Sequence, residues 1–257
     1  MPNIEQDAYG KEISAYWQSL NDPDATPPFE IIERDDGWIG ASVHTPKMYF
    51  SDYDSWPKPE QEAIQHAVGR VLDVGCGAGR VGLYLQERGH QVVGIDTSPL
   101  ALEVCGQRGL TDLLLMSITQ ISSKLGRFDT IVMFGNNFGL FGNPKRARYL
   151  LKRFYSMTSP QGRILSTSRD IYETSDPLHL AYHDRNRKRG RMPGQIRLRV
   201  RYQTIKSPWF DYLMVSPDEL ADIIKDTGWQ VTRIYPQDED SIYSALIEKI
   251  SGYKPSI

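Results

Sequence analysis

The 257-residue chain is poor in cysteine and histidine and nearly neutral, with two cysteines, five histidines and a formal net charge of −2. Cys76 and Cys105 lie far apart in sequence and no histidine cluster joins them, so no metal site and a reduced, cytoplasmic protein are expected. The balanced charge gives no whole-chain reason to bind nucleic acid or a membrane surface. No stretch approaches the roughly 20 apolar residues that span a bilayer. The opening "MPNIEQDAYGKEISAYW" also lacks the apolar core of a secretory leader. Repeats and low-complexity segments are missing as well. What remains is 40% hydrophobic residues, ample for one sizeable α/β domain with a cap.

Apolar spacing predicts an N-terminal helix over residues 5–20, and "FEIIERDDGWIGAS" reads as a hairpin around Asp36-Gly37. "KMYFSDYDSW" is aromatic-rich and irregular, and "PKPEQEAIQHAV" reads as a helix start. From Arg70 to about Asp170 strands and helices alternate, which demands parallel strands with helical crossovers. The rhythm breaks over 171–210, where arginine is dense and Ile196, Leu198, Val200 and Tyr202 alternate with Arg197, Arg199 and Arg201. From Ser216 a capped helix and two strands close the core. The expected organisation is an N-terminal helix, hairpin and lid over 1–69, a core over 70–170 and 211–250, and a basic hairpin insertion, a substrate cap, over 171–210. The fold expected is α/β, a doubly wound, mostly parallel seven-stranded sheet with an α+β cap.

Within the core, "GRVLDVGCGAGR" sets Gly75, Gly77 and Gly79 at alternate positions after an apolar strand, and Asp96 ends the next strand in "QVVGIDTSP". Glycine is poor in strands and helices, so this run needs a backbone reason or a ligand. A turn feeding a helix N-terminus suits an anionic group, and a carboxylate at the next strand end can accept hydrogen bonds from ribose hydroxyls. Together they describe a site for a nucleoside carrying an anionic group.

The spacing is not that of the dinucleotide fingerprint G-x-G-x-x-G. "DVGCGAG" resembles motif I of the class I S-adenosylmethionine-dependent methyltransferases, and the resemblance extends from Val71 to about Lys249. It implies a Rossmann-like fold and S-adenosyl-L-methionine as cofactor. It implies that the loop Gly75, Cys76, Gly77 and Gly79 wraps the donor, with Asp73 arranging loop and amino group. Asp96, with Thr97 beside it, matches the acidic ribose ligand. "MSITQI" matches the third-strand end, where the family's usual aspartate is replaced by Ser117 and where Ile118 can pack on the purine. "FDTIVMFGNN" matches the fourth strand, which places Phe134, Asn136 and Asn137 near the methyl donor.

The donor's methyl is already activated, so alignment and water exclusion are the protein's main tasks; an O- or N–H acceptor also needs a base. Candidates are Asn137, which can hold an acceptor, and His179, Tyr182 and His183 in the insertion, with Asp170 and Glu173 beyond the fifth strand. Tyr49, Phe50, Tyr53 and Trp56 form either a water-excluding lid or packing between cap and core. The basic stretch 185–201 reads as a clamp for an anionic small substrate, as an RNA-facing patch, or as a solvated hairpin or a subunit contact paired with acids elsewhere. The leading expectation is methyl transfer to O or N of a small, anionic molecule. The alternatives are an RNA methyltransferase and a non-catalytic nucleoside-binding regulator.

Overall fold

Four helices of this protein begin with the same two-residue signal, a short polar cap followed by proline: Ser98-Pro99, Asn143-Pro144, Asp176-Pro177 and Ser216-Pro217. In each, the cap side chain accepts a hydrogen bond from an otherwise unpaired first-turn amide, and proline occupies a position that needs no N–H. A computed structural model describes residues 4–22, 24–42, 44–237 and 240–253. Its elements run α1 (Ala8–Ser19), β1 (Glu30–Arg34), β2 (Ile39–Ser42), α2 (Thr45–Met48), α3 (Lys58–Ile64), β3 (Arg70–Val74) and α4 (Arg80–Glu87). There follow β4 (Gln91–Asp96), α5 (Pro99–Gln107), β5 (Leu113–Leu115), β6 (Phe128–Met133), α6 (Pro144–Met157), β7 (Thr158–Arg169) and α7 (Pro177–Lys188). The chain ends with β8 (Gln195–Tyr202), β9 (Ile205–Lys206), β10 (Phe210–Leu213), α8 (Pro217–Ile224), β11 (Trp229–Gln237) and β12 (Asp240–Lys249).

The main sheet is seven-stranded and mostly parallel, in the order β11-β12-β7-β6-β3-β4-β5, as the alternating pattern predicts. β4 and β6 each run parallel to the strand that follows them, β5 and β7 respectively, while β12 lies antiparallel between β7 and β11. Near-continuous apolar strands make this possible: Phe128, Ile131, Val132 and Met133 of β6 are fully buried. Amphipathic helices complete the burial, as in α6, where Ala147, Leu150, Leu151, Phe154 and Met157 share the inward stripe. A second sheet has the order β10-β8-β1-β2, with β9 on β8, and pairs Ile31 with Arg201.

Contacts divide the chain into two compact units, grouped otherwise than the expected 1–69 and 171–210 boundaries. The first unit comprises Met1–Trp56, Asp73–Ser117 and Arg197–Phe210; the second comprises Pro57–Leu72, Ile118–Ile196 and Asp211–Ile257. The expected basic hairpin over 171–210 needs correction in its first half: residues 177–188 are a helix. Asp176 accepts from Leu178 N at 2.8 Å, and Asn186 donates to the carbonyls of Pro193 and Gln195. Among the described residues, no helix is long and apolar enough to cross a membrane.

Candidate functional site

In the first unit the glycine run is shaped by the end of β4. Gly75 N and Cys76 N both donate to the Ile95 carbonyl, at 2.9 and 3.1 Å, and Gly79 N turns back to Cys76 O at 2.8 Å. Gly75, Gly77 and Gly79 have φ of +75°, +51° and +85°. These are left-handed values that cost other residues about 1–2 kcal/mol each. Space forbids side chains as well: a Cβ on Gly77 would sit 2.5 Å from Tyr9 Oη, and one on Gly79 2.6 Å from Cys105 Sγ. Gly79 also has no side chain with which to cap α4, which leaves first-turn amides of that helix for a ligand.

Asp96 ties the arrangement together. Its Oδ2 accepts from Gly77 N and its Oδ1 from Ser98 N, both at 2.9 Å. A carboxylate has about four acceptor sites, so both oxygens keep capacity for hydroxyls. Burial raises the Asp96 carboxyl above its ordinary range, and the backbone donors of Ser98 and Gly77 pull it back. The N-terminal segment reaches the same place. Asp7 caps α1 by accepting from Gly10 N, while its second oxygen accepts from Ser98 Oγ at 2.7 Å and Leu100 N at 3.3 Å. Ile13 then packs with Ala78, Ala101 and Val104. Tyr9 of α1, whose hydroxyl lies over Gly77, therefore reaches this site, although nothing local in the sequence announces the pairing of Asp7 with Ser98, some ninety residues apart.

In the second unit, the turn after β6 is held from behind by Glu60 of α3. Its buried Oε1 accepts from Gly135 N at 2.8 Å and from the Thr167 hydroxyl at 3.1 Å. Asn136 follows at φ +65°, its carbonyl accepting from Tyr212 Oη at 2.6 Å. Its buried Oδ1 has no hydrogen-bond partner among the described residues. An orphaned acceptor of this kind is costly unless a ligand completes it.

Comparison with known proteins bears on this geometry. Residues 71–162 match the profile of a methyltransferase domain family. The crystal structure of a SAM-dependent methyltransferase from Bacteroides fragilis in complex with S-adenosyl-L-homocysteine superposes with a TM-score of 0.78, at 25% identity, covering 96% of both chains. The chain carries a class I S-adenosylmethionine-dependent methyltransferase domain. Over 130 residues the chain is 30% identical to a glycine/sarcosine N-methyltransferase of Halorhodospira halochloris (46% of this chain, 48% of that one). Over 91 residues it is 37% identical to an 18S rRNA (guanine-N(7))-methyltransferase of Bos taurus (35% and 32%). The chain thus spans about half or less of the length of the curated relatives it matches.

The methyltransferase domain brings together Gly75, Cys76, Gly77, Gly79, Asp96 and Thr97 in the first unit, with Asp73 buried in β3. Ser117 follows Met116, whose N–H donates to the Asp96 carbonyl at 2.8 Å. The cofactor implied by the family fits these residues: the cradle has room only for backbone, α4 has uncapped amides, and Asp96 retains acceptor capacity. Ile118, Phe134, Asn136 and Asn137 belong to the second unit, where Ile118 and Phe134 are buried. His179, Tyr182 and His183 share α7 in that unit. Tyr182 and His183 are buried; His179 lies half-exposed, 4.0 Å from Asp176.

Three readings of the sequence change. The cysteines, distant in the chain, are neighbours: a hydrogen bond with Cys105, and then burial, raise the Cys76 thiol well above its ordinary value. The anion clamp loses two of its arginines, because Arg199 forms a two-pronged pair with Glu33 at 2.8 and 2.9 Å and Arg201 lies 3.4 Å from the same carboxylate. The aromatic segment splits. Tyr53 and Trp56 pack against Tyr84, with Arg80 over Trp56 at 4.6 Å, whereas Tyr49 meets Tyr9 edge-on and Phe50 stacks on Trp17 of α1.

Proposed function

We propose that this protein transfers a methyl group from S-adenosylmethionine to an oxygen or nitrogen atom of a small molecule by in-line displacement. The observation that carries the reading is the side-chain-free loop Gly75–Gly79 bonded to the Asp96 carboxylate. When bound, S-adenosylmethionine supplies a methyl already activated by its sulfonium. The chain's own part is to hold and exclude. Asp96 would accept from the ribose hydroxyls, the first amides of α4 would meet the anionic end, and Ser117 would meet the base. Asn136 Oδ1 receives a hydrogen bond from the donor or the acceptor. Orientation of reacting groups can supply roughly 7–11 kcal/mol, so no single residue needs to carry the rate.

Asn137 positions the acceptor in this reading, and His179, Tyr182 and His183 are the candidates for proton removal. Burial of Tyr182 and His183 favours His179 as the one that meets solvent. Pairing of Arg199 and Arg201 with Glu33 withdraws support from an anionic substrate and from an RNA-facing strand alike. The test is transfer of radiolabelled methyl into a metabolite extract, with RNA and protein fractions run separately. Label in the small-molecule fraction is expected. Label confined to RNA would favour the nucleic-acid reading, and donor binding with no transfer to any fraction would favour the regulator.

A further inference from the structure

Glu12 of α1 is fully buried, and among the described residues neither of its carboxyl oxygens has a hydrogen-bond partner. Buried carboxyl groups are normally paired, because leaving one unpaired forfeits its hydration without return. Beside it stand three half-buried groups. Glu30 opens β1, Tyr49 donates its hydroxyl to Glu30 Oε1 at 2.7 Å, and Tyr9 lies one helical turn before Glu12. Tyr9 is also the residue whose hydroxyl fills the space over Gly77, so the cluster adjoins the donor-binding loop within the same unit.

The charges that raise these groups are acids, while Arg108 donates to the Ala78 carbonyl of the adjoining loop at 2.6 Å. Burial and then Glu30 raise Glu12 to about 9, and burial followed by Asp96, Glu12 and Glu30 raises Tyr9 well above its ordinary value. Tyr49 is raised by burial and then by Glu30, with Tyr9 and Glu12 adding to it, while the hydrogen bonds from Tyr49 and Thr45 only partly offset the burial of Glu30. Cys76 is a further titratable neighbour. Two carboxyls with no ion pair among the described residues, beside a pair of tyrosine rings in edge-to-face contact, are complementary to a compact cation that can take both charge and ring contact.

We propose that Glu12 and Glu30 form the binding site for a protonated amine of the methyl acceptor, alongside the Tyr9–Tyr49 ring pair and beside the Gly75–Gly79 loop. That the molecule carrying this ammonium is the methyl acceptor rests on the methyltransferase reading above; the ammonium nitrogen has no lone pair, so it anchors the molecule while another of its atoms takes the methyl group. Such a site places the substrate among amines, opposite in charge to the anion that the arginine-rich stretch suggests. An ammonium turns Glu12 from a neutral, unpaired acid into an ionised, paired one, so binding releases a proton.

Calorimetric titration of the whole protein saturated with S-adenosylhomocysteine tests this, with benzylamine and its neutral isostere benzyl alcohol as probes. Benzylamine is expected to bind at least tenfold more tightly than benzyl alcohol and to release about one proton, read from paired titrations in buffers of different ionisation heat. E12Q and E30Q should each weaken benzylamine at least tenfold while leaving benzyl alcohol and S-adenosylhomocysteine within about twofold. Equal affinity for the two probes, or no proton release, overturns the proposal in the wild-type protein alone, whether or not the variants fold. If E12Q weakens S-adenosylmethionine but neither S-adenosylhomocysteine nor benzylamine, the carboxyls serve the donor's sulfonium and the proposal fails. Failure of S-adenosylhomocysteine itself to bind, with amine selectivity intact, sinks the methyltransferase reading and with it the acceptor assignment, leaving only a cation site.

Discussion

Asp96 organises the loop through Gly77 and Ser98, and in the proposed function its remaining lone pairs would serve the sugar of the donor. Asp96→Ala is therefore expected to weaken S-adenosylhomocysteine by about 1–3 kcal/mol, the cost of leaving buried polar partners unmade; titration calorimetry reads it, and an unchanged dissociation constant contradicts the role. Gly77→Ala is expected to lower stability and abolish donor binding together, since its backbone is left-handed and Tyr9 Oη occupies the space. Glu12 gives a pH signature. With the folded value raised to about 9, the native state keeps a proton that the unfolded chain releases near the ordinary carboxylate range. Stability from this group is complete below that range and falls as pH rises toward 9, by up to about 1.4 kcal/mol per pH unit. Urea denaturation of the free protein at about pH 5 and about pH 8 should show the slope, and Glu12→Gln should flatten it.

Elements were legible where local chemistry and periodicity agree. The run from β3 to β7 could be read because apolar strands, glycine stops and the Ser98 cap punctuate it. α7 carried the same cap-proline signal, yet its apolar pattern is faint: Leu178 and Leu180 are exposed while Tyr182, His183 and Asn186 are buried. Polar residues facing inward hide a helix from a periodicity argument. The loop and Asp96 were likewise visible, because their geometry is set within some twenty residues. Tyr9, Glu12 and Glu60 were not, because what they touch is fixed by folding, and no spacing rule connects α1 or α3 to a glycine turn far downstream. At this scale Asp176→Ala should cost about 0.5–2 kcal/mol through loss of the α7 cap, measured by chemical denaturation. Arg199→Glu, which sets two acids opposite one another across β1 and β8, should destabilise the second sheet, and a midpoint equal to wild type would contradict that pairing.

For the whole molecule, a net charge of −2, with Arg199 and Arg201 answered by Glu33 and Arg187 by Asp184, reduces the field that could draw in a polyanion. Donor binding should instead be felt as stability. At a hundred times its dissociation constant, S-adenosylhomocysteine adds about 2.7 kcal/mol, which raises the thermal midpoint by roughly 5–11 °C for a chain of this size. The Asp96→Ala variant should lose from about a third to about nine-tenths of that shift at the same concentration. The pairing of Ile31 with Arg201 reaches beyond the finished molecule to its synthesis. A ribosome adding about 5–20 residues each second delivers β8 roughly ten to thirty seconds after β1. Through that interval one edge of β1 stands unmatched and open to pairing with another chain, so the growing chain is where aggregation of this protein is expected to begin.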